Sequence, residues 1–355
     1  MYRMSPKLNL VRRQMLRWAI VAAVFQPWLG HAQTAVTGAT FGALVDGANV
    51  GAYTTVPVTF QQTSIGLSTF TTAGGAFEVS GAATNAYVRR NTVNSNYSSV
   101  WYNNSSGVST TLDGTYQTTL SSVYLGNNVL MGGDNTFTNG ASVSSGNIER
   151  IDFVWNSGVV MATTDGFAVF ERGAAGGHDS FRIAVITGFG TATIGGVSTS
   201  NVPTSYSTAL QATSATYGAT NVYNYTNPFQ IVRYNSGDNL TNNTAVEANV
   251  TSQGLGGVFF TLADFGIAAG TTIYGYSIFA DDWKKAPTKN TQLVDWKNTT
   301  YYPTSSTNGL DLSAINGQAF KKIVPEPSTY GLIFMAGSAA LVIWRRRRRL
   351  VRSEG

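Results

Sequence analysis

The chain has 355 residues, with 23 basic and 18 acidic side chains, two histidines and no cysteine. Without cysteine there is no disulfide framework and no thiol chemistry, so stability has to come from buried apolar surface. Eleven of the basic residues lie before position 18 or after position 344, which leaves residues 34–324 with 12 basic and 16 acidic side chains and a charge of about −4; this removes the electrostatic case for nucleic-acid binding.

Arg3, Lys7, Arg12, Arg13 and Arg17 precede an apolar stretch from Trp18 to Leu29 that is interrupted by Pro27, and Gly30-His31-Ala32 supplies small residues. This order predicts a secretory signal peptide over residues 1–33, cut after Ala32 or Gln33. Val11-Arg12-Arg13 loosely resembles a twin-arginine signal, but Val stands where Ser or Thr would precede the pair. Ordinary Sec export is the simpler expectation.

The body, 34–324, is rich in Gly, Ser, Thr, Asn and aromatic residues and poor in Lys, Glu and Leu. β-branched and aromatic residues suit a pleated surface, and Gly and Asn suit hairpin bends. Val56–Phe60 alternates, and Gly74-Gly75 separates Leu67–Thr71 from Ala76–Ser80 as a hairpin. Tyr87–Arg90 reads as a strand. The polar stretch Asn91–Gly107 reads as a loop or edge hairpin, and Gly114–Leu120 and Ser122–Leu125 alternate again. In Asn147–Trp155, Ile151, Phe153 and Trp155 alternate with Arg150, Asp152 and Val154, which predicts a strand with one buried face. Gly166–Gly173 and Ser180–Gly188 are similar strands, joined by a turn over Gly173–Gly177. Further strands are expected at Phe229–Tyr234, Thr244–Thr251, Gly256–Leu262 and Gly275–Ala280, with one helical turn at Ala263–Ala269. Many short strands with glycine turns predict an all-β body, a β-sandwich or jelly-roll. It is either one extended unit or two divided near residue 128.

Chemistry in this body is sparse. His178 is the only histidine after the signal peptide, and it falls in the turn Gly176-Gly177-His178-Asp179, where an exposed loop position is expected. A catalytic triad would have to use it, and no Gly-x-Ser-x-Gly elbow lies nearby. Glu149-Arg150 and Glu171-Arg172 place acids beside bases at strand ends, a pattern that suits cross-strand ion pairs and, alternatively, carboxylate catalysis. Calcium is another reading of the acids. Asp134, Asn135, Asn139, Asn147, Glu149 and Asp152 offer hard oxygens from neighbouring segments, though at no EF-hand or nonapeptide spacing. Trp101, Tyr102, Trp283 and Trp296 lie in polar stretches, where aromatic rings either stack on sugars or cap the core.

The last segment is the most specific. Pro325-Glu326-Pro327 is followed by an apolar run, Tyr330 to Trp344, and by Arg345, Arg346, Arg347, Arg348 and Arg349. Fifteen residues make roughly 22 Å of helix, short of a ~30 Å hydrocarbon core, so a transient membrane helix is expected over 330–344 with 350–355 on the cytoplasmic side. A Pro-Glu-Pro box, an apolar helix and an arginine run in this order resemble the PEP-CTERM sorting signal, here over 325–349. That resemblance implies recognition by exosortase, a membrane protease, in a bacterium that makes extracellular polysaccharide. The block Gly132–Asp281 also resembles other exported surface proteins with this tail, through Gly-Gly-Asp-Asn-Thr-Phe at 132–137, Ile-Glu-Arg-Ile-Asp-Phe at 148–153, Phe-Glu-Arg-Gly at 170–173 and Tyr-Gly-Tyr-Ser at 274–277. No activity comes with that likeness. The expectation is an exported, non-enzymatic structural or adhesive protein of the cell surface, outer membrane or extracellular matrix, associated with exopolysaccharide. A carbohydrate-binding module and a carboxylate-dependent polysaccharide hydrolase or lyase are the alternatives.

Overall fold

The computed structural model describes residues 33–43, 65–91, 98–103, 120–138, 148–225, 229–234, 243–248, 253–283, 290–304, 309–324 and Ser338. Its strands, in chain order, are β1 (Thr34–Ala43), β2 (Ile65–Thr72), β3 (Gly75–Ala82), β4 (Asn85–Arg90), β5 (Ser98–Asn103), β6 (Met131–Gly133), β7 (Ile148–Val160), β8 (Gly166–Gly173) and β9 (Phe181–Ile194). They continue with β10 (Val197–Tyr206), β11 (Leu210–Ala212), β12 (Tyr223–Asn224), β13 (Phe229–Tyr234), β14 (Asn243–Ala248), β15 (Gly254–Thr261), β16 (Thr272–Ala280) and β17 (Gln318–Lys322). A five-residue helix, α1 (Leu120–Tyr124), and 3-10 turns at Ser214–Tyr217 and Asn290–Leu293 complete the described elements. The chain divides into two units, Met1–Lys321 and Lys322–Gly355.

The all-β class read from the sequence is the class observed. One sheet runs β1-β2-β3-β17-β8-β15-β12, and β1 also pairs with β15, so six of its strands close into a ring. A simple pair of open sheets has no such closure, which removes two free edges. A second sheet runs β10-β9-β16-β7-β4 with β11 on β9, and a third runs β14-β13-β5-β6. The hairpin at Gly74-Gly75 is present, with Thr72 opposite Gly75.

Alternation along the strands sorts the core into layers. On β8, Ala168 and Phe170 point into the ring, where they join Val36, Phe70, Phe259 and Phe320. Phe167 and Val169 point outward and meet Ile151, Phe153, Ile183, Val185, Tyr276 and Ile278 from the second sheet. That sheet's far face carries Val154, Ala184, Ile186 and Phe279, covered by Trp283, Leu293, Val294, Trp296 and Tyr302. The expectation of one buried face on β7 is therefore corrected. Residues 148–155 are buried on both faces because the loop around 290–302 covers the second one.

Three more expectations are corrected. Ser122–Leu125 is not a strand: Leu120, Val123 and Tyr124, at helical spacing, are the buried residues of α1. The Asn/Ser-rich stretch contains β5, which lies between β13 and β6 and not at an edge. Ala263–Ala269 forms successive turns with Asp264 N–H to Thr261 C=O and Gly266 N–H to Ala263 C=O, without a helix. The strands expected at 56–60 and 114–119 lie outside the described residues.

Candidate functional site

Glu171 and Arg172, adjacent on β8, point to opposite sides of the ring wall. Arg172 faces inward. Its Nη2 donates to Asp134 Oδ1 at 3.0 Å and to Asp311 Oδ2, and its guanidinium lies over the rings of Trp101 and Phe229 at 5.2 and 4.7 Å. Asp134 accepts a further bond from Ser99 Oγ at 2.9 Å, and Asp311 accepts one from the Asn135 N–H at 2.7 Å. One buried cation thus ties β8, the end of β6 and the segment before β17 together.

Glu171 faces outward and meets His178. Its Oε2 lies 2.5 Å from His178 Nδ1, and His178 Nε2 lies 2.8 Å from Asn221 Oδ1. The imidazole is stacked on Tyr217, with centroids 4.7 Å apart, and only 3% of His178 is exposed. The exposed loop position expected for His178 is corrected: the Gly-rich turn folds the ring back onto the strand that precedes it. Glycines on the ring wall make the room. A Cβ at Gly256 would stand 2.3 Å from His178 Nε2, and one at Gly254 would stand 2.1 Å from Asn221 Nδ2.

Burial pushes the Glu171 carboxyl well above its usual range, and the Asp311 and Asp179 charges push it further. Burial also lowers the His178 pKa, with the Asn221 hydrogen bond partly opposing the shift. Asp311 is pushed up to about 7 by burial, with the Arg172 charge opposing. Asp179 is raised by burial and by Asp281.

A second buried array sits on the far face of the second sheet. Arg150 Nε donates to Asp152 Oδ1 at 2.6 Å, and Arg89 Nε donates to Asp152 Oδ2 at 2.7 Å. Ser277 Oγ donates to Asp152 Oδ1 at 2.6 Å. Arg150 Nη1 donates to the Leu293 carbonyl, which also accepts from Tyr302 Oη at 2.9 Å. Trp296 lies against both guanidinium groups, 4.8 Å from Arg89 and 5.0 Å from Arg150, and donates from Nε1 to the Arg90 carbonyl at 3.1 Å. Burial of Asp152 is outweighed by Arg150 and Arg89, so its pKa is held below the usual carboxylate value.

The structure does not bring Asp134, Asn135, Glu149 and Asp152 to one centre. Asp134 belongs to Arg172, whereas Asp152 belongs to Arg89 and Arg150 on a different sheet. Glu149 sits at a bulge of β7, beside Asp282 and Asn91, with its pKa raised to about 8 by burial and then by the Asp282 charge. Among the described residues no group of three or more His, Cys, Asp or Glu side chains is arranged to hold a metal. Of the two readings of the tryptophans, stacking on sugars and capping the core, their burial fits the second. Trp101, Trp283 and Trp296 are 0%, 4% and 6% exposed and serve the core. Tyr102 lies on β5, and its side chain is outside the described residues.

Of the tail, Val324 and Ser338 are described, and Pro325, Glu326, Pro327 and Arg345 to Arg349 lie outside the described residues. No helix among the described residues is long and apolar enough to cross a membrane. The family comparison decides the tail's identity: a model of the PEP-CTERM protein-sorting motif matches residues 324–348. The chain carries a PEP-CTERM motif. Such a motif marks a protein that exosortase recognises, one exported across the membrane and sorted to the cell surface. The match begins two residues after β17, the last described strand of the ring. No curated protein and no solved structure matches the chain.

Sequence reasoning missed Asn221, Tyr217 and Asp311 as partners of Glu171, Arg172 and His178. No local signal points to any of them, because each lies more than 30 residues from its partner.

Proposed function

We propose that this PEP-CTERM protein is a non-catalytic structural or adhesive component of the cell surface or extracellular matrix, held among exopolysaccharide. The observation that carries the reading is the sorting motif following directly on a closed β-body. The placement of the polar residues supports it. Asp152 and Glu171, two of the acids a hydrolase or lyase could use, are at most 1% exposed and hydrogen-bonded to Arg89, Arg150 and His178. A rigid body whose charged groups hold its own loops suits a building or attachment role better than turnover of a substrate.

Two measurements test this together. Cells expressing the chain without residues 324–348 should no longer display it at the surface, and mass spectrometry of the wild-type surface form should show loss of Arg345–Arg349. The purified surface form should cosediment with matrix polysaccharide extracted from the same cells and release no reducing ends or double bonds from it. Surface display without the motif would overturn the address. Product release would overturn the non-catalytic role.

A further inference from the structure

We propose that Glu171, His178 and Asn221 form a proton-operated clasp, which fastens the 174–180 loop and the 214–222 segment to the outer wall of the ring and loosens when its shared proton leaves. The geometry is that of a linear chain of three groups, with His178 in the middle. Glu171 comes from β8, His178 from the loop that follows it, and Asn221 from the stretch before β12. Asn221 Oδ1 accepts from Nε2, so Nε2 carries hydrogen and the remaining proton lies on the 2.5 Å line between His178 Nδ1 and Glu171 Oε2. Ser214 Oγ, which donates to the Gly176 carbonyl at 3.0 Å, joins the same two segments a second time.

The surroundings explain why the proton matters. Glu171 is faced by Asp311 from the segment before β17, by Asp179 from its own loop and by Tyr217 from the 3-10 turn. The nearby guanidinium, Arg172, is on the other side of the wall and engaged by Asp134 and Asp311. An ionised Glu171 without a protonated His178 would therefore be a buried charge among other carboxylates, supported only by the backbone N–H groups of Asp179, at 3.3 Å, and Asp311. With one proton on the pair, both groups are satisfied.

The pH dependence follows from proton counting. The unfolded chain has reference values of 4.5 for the carboxyl and 6.5 for the imidazole. Between these values folded and unfolded chains both hold one proton on the pair, and the clasp contributes fully. Above 6.5 the unfolded chain has released it while the folded chain keeps it, so stability falls as pH rises. Below 4.5 the unfolded chain takes up a second proton, so stability falls as pH drops. The raised Glu171 and lowered His178 values have the signs this requires.

The experiment follows thermal unfolding of the full-length chain in detergent from pH 4 to 9, for wild type and Glu171→Gln. Glutamine keeps a donor towards Nδ1 and cannot ionise. Wild type should lose several degrees of midpoint between pH 6 and pH 8.5, and E171Q should lose less, keeping the part due to Glu149 and Asp311. Hydrogen exchange should show protection of residues 174–180 falling roughly tenfold over the same range in wild type. Parallel midpoint curves for the two proteins would overturn the proposal. If E171Q does not fold, 15N-histidine spectra of wild type decide. A His178 ring that titrates freely near its reference value would overturn the clasp, and one that keeps Nε2–H without titrating between pH 5 and 7.5 supports it.

Discussion

Trp296 separates two accounts of the aromatic residues. As a sugar platform it would be dispensable for folding, whereas the structure makes it the piece that holds the 290–302 loop onto the second sheet. Its ring fills the space between Arg89 and Arg150, and its Nε1–H satisfies the Arg90 carbonyl. Truncating a buried tryptophan to alanine costs about 3–5 kcal/mol, through lost transfer energy and the cavity left behind. Here the cavity would also admit water to Arg150, which is fully buried. A domain of this size shifts by about 2–4 °C per kcal/mol, so Trp296→Ala should lower the melting midpoint by ~6–20 °C. Trp296→Phe keeps a ring against both guanidinium groups and gives up only the hydrogen bond, at a cost of about 1–2 kcal/mol. The assay is thermal unfolding by far-ultraviolet circular dichroism, run beside retention on immobilised matrix polysaccharide. A W296A protein that melts within about 2 °C of wild type and loses retention would refute the reasoning and restore the stacking role.

Asp152→Asn leaves Arg89 and Arg150 without their shared charge and should destabilise the fold by about 3–5 kcal/mol at pH 7, read from the denaturant midpoint. The folded Asp152 value lies below 3.8, so its contribution is present above pH 3.8 and lost as pH falls through the folded value; the variant's acid limb should be flatter than wild type's. Glu149 has the opposite sign. Its folded value of about 8 exceeds the reference 4.5, so stability is full below 4.5 and declines as pH rises towards 8. Glu149→Gln should accordingly melt above wild type at pH 8.5 and level with it at pH 4.5. A chain ended after Val324 should keep the strand signal and midpoint of the full-length chain, whereas one ended after Gly317 loses β17 and the fully buried Phe320, worth about 3–5 kcal/mol by itself.

Local signals were legible and distant ones were not. The Gly74-Gly75 hairpin, β8, the start of β9 and the body of β7 follow from period-two alternation and turn chemistry, which act within about ten residues. Alternation could not say that Arg150 and Asp152 are as buried as Ile151 and Phe153, because what buries them arrives some 140 residues later in sequence, at Leu293. Trp296 looked like a loop aromatic for the same reason. Its partner, the Arg90 carbonyl, is 206 positions away. His178 was misplaced because a turn histidine is ordinarily solvated, and neither Asn221 nor the open wall over Gly254 and Gly256 is visible in its neighbourhood. α1 was lost to length, since five residues hold too little of a helical period to outweigh two apparent alternations.

The position of β17 connects the fold to the address. This strand pairs with β3 and β8 and supplies the last link of the six-stranded ring. It ends at Lys322, and the sorting motif begins at Val324. Because Phe320 packs against Phe70 at 4.8 Å inside the ring, the body cannot finish its core until the chain has been made and exported as far as residue 322. One residue, Ile323, separates the end of β17 from the start of the motif. A cut within or beyond Pro325–Pro327 leaves every residue of β17 in place, while any cut before Gln318 opens the ring. The sorting motif thus begins just beyond the last strand of the ring, so a cut after Val324 would take no described strand with it.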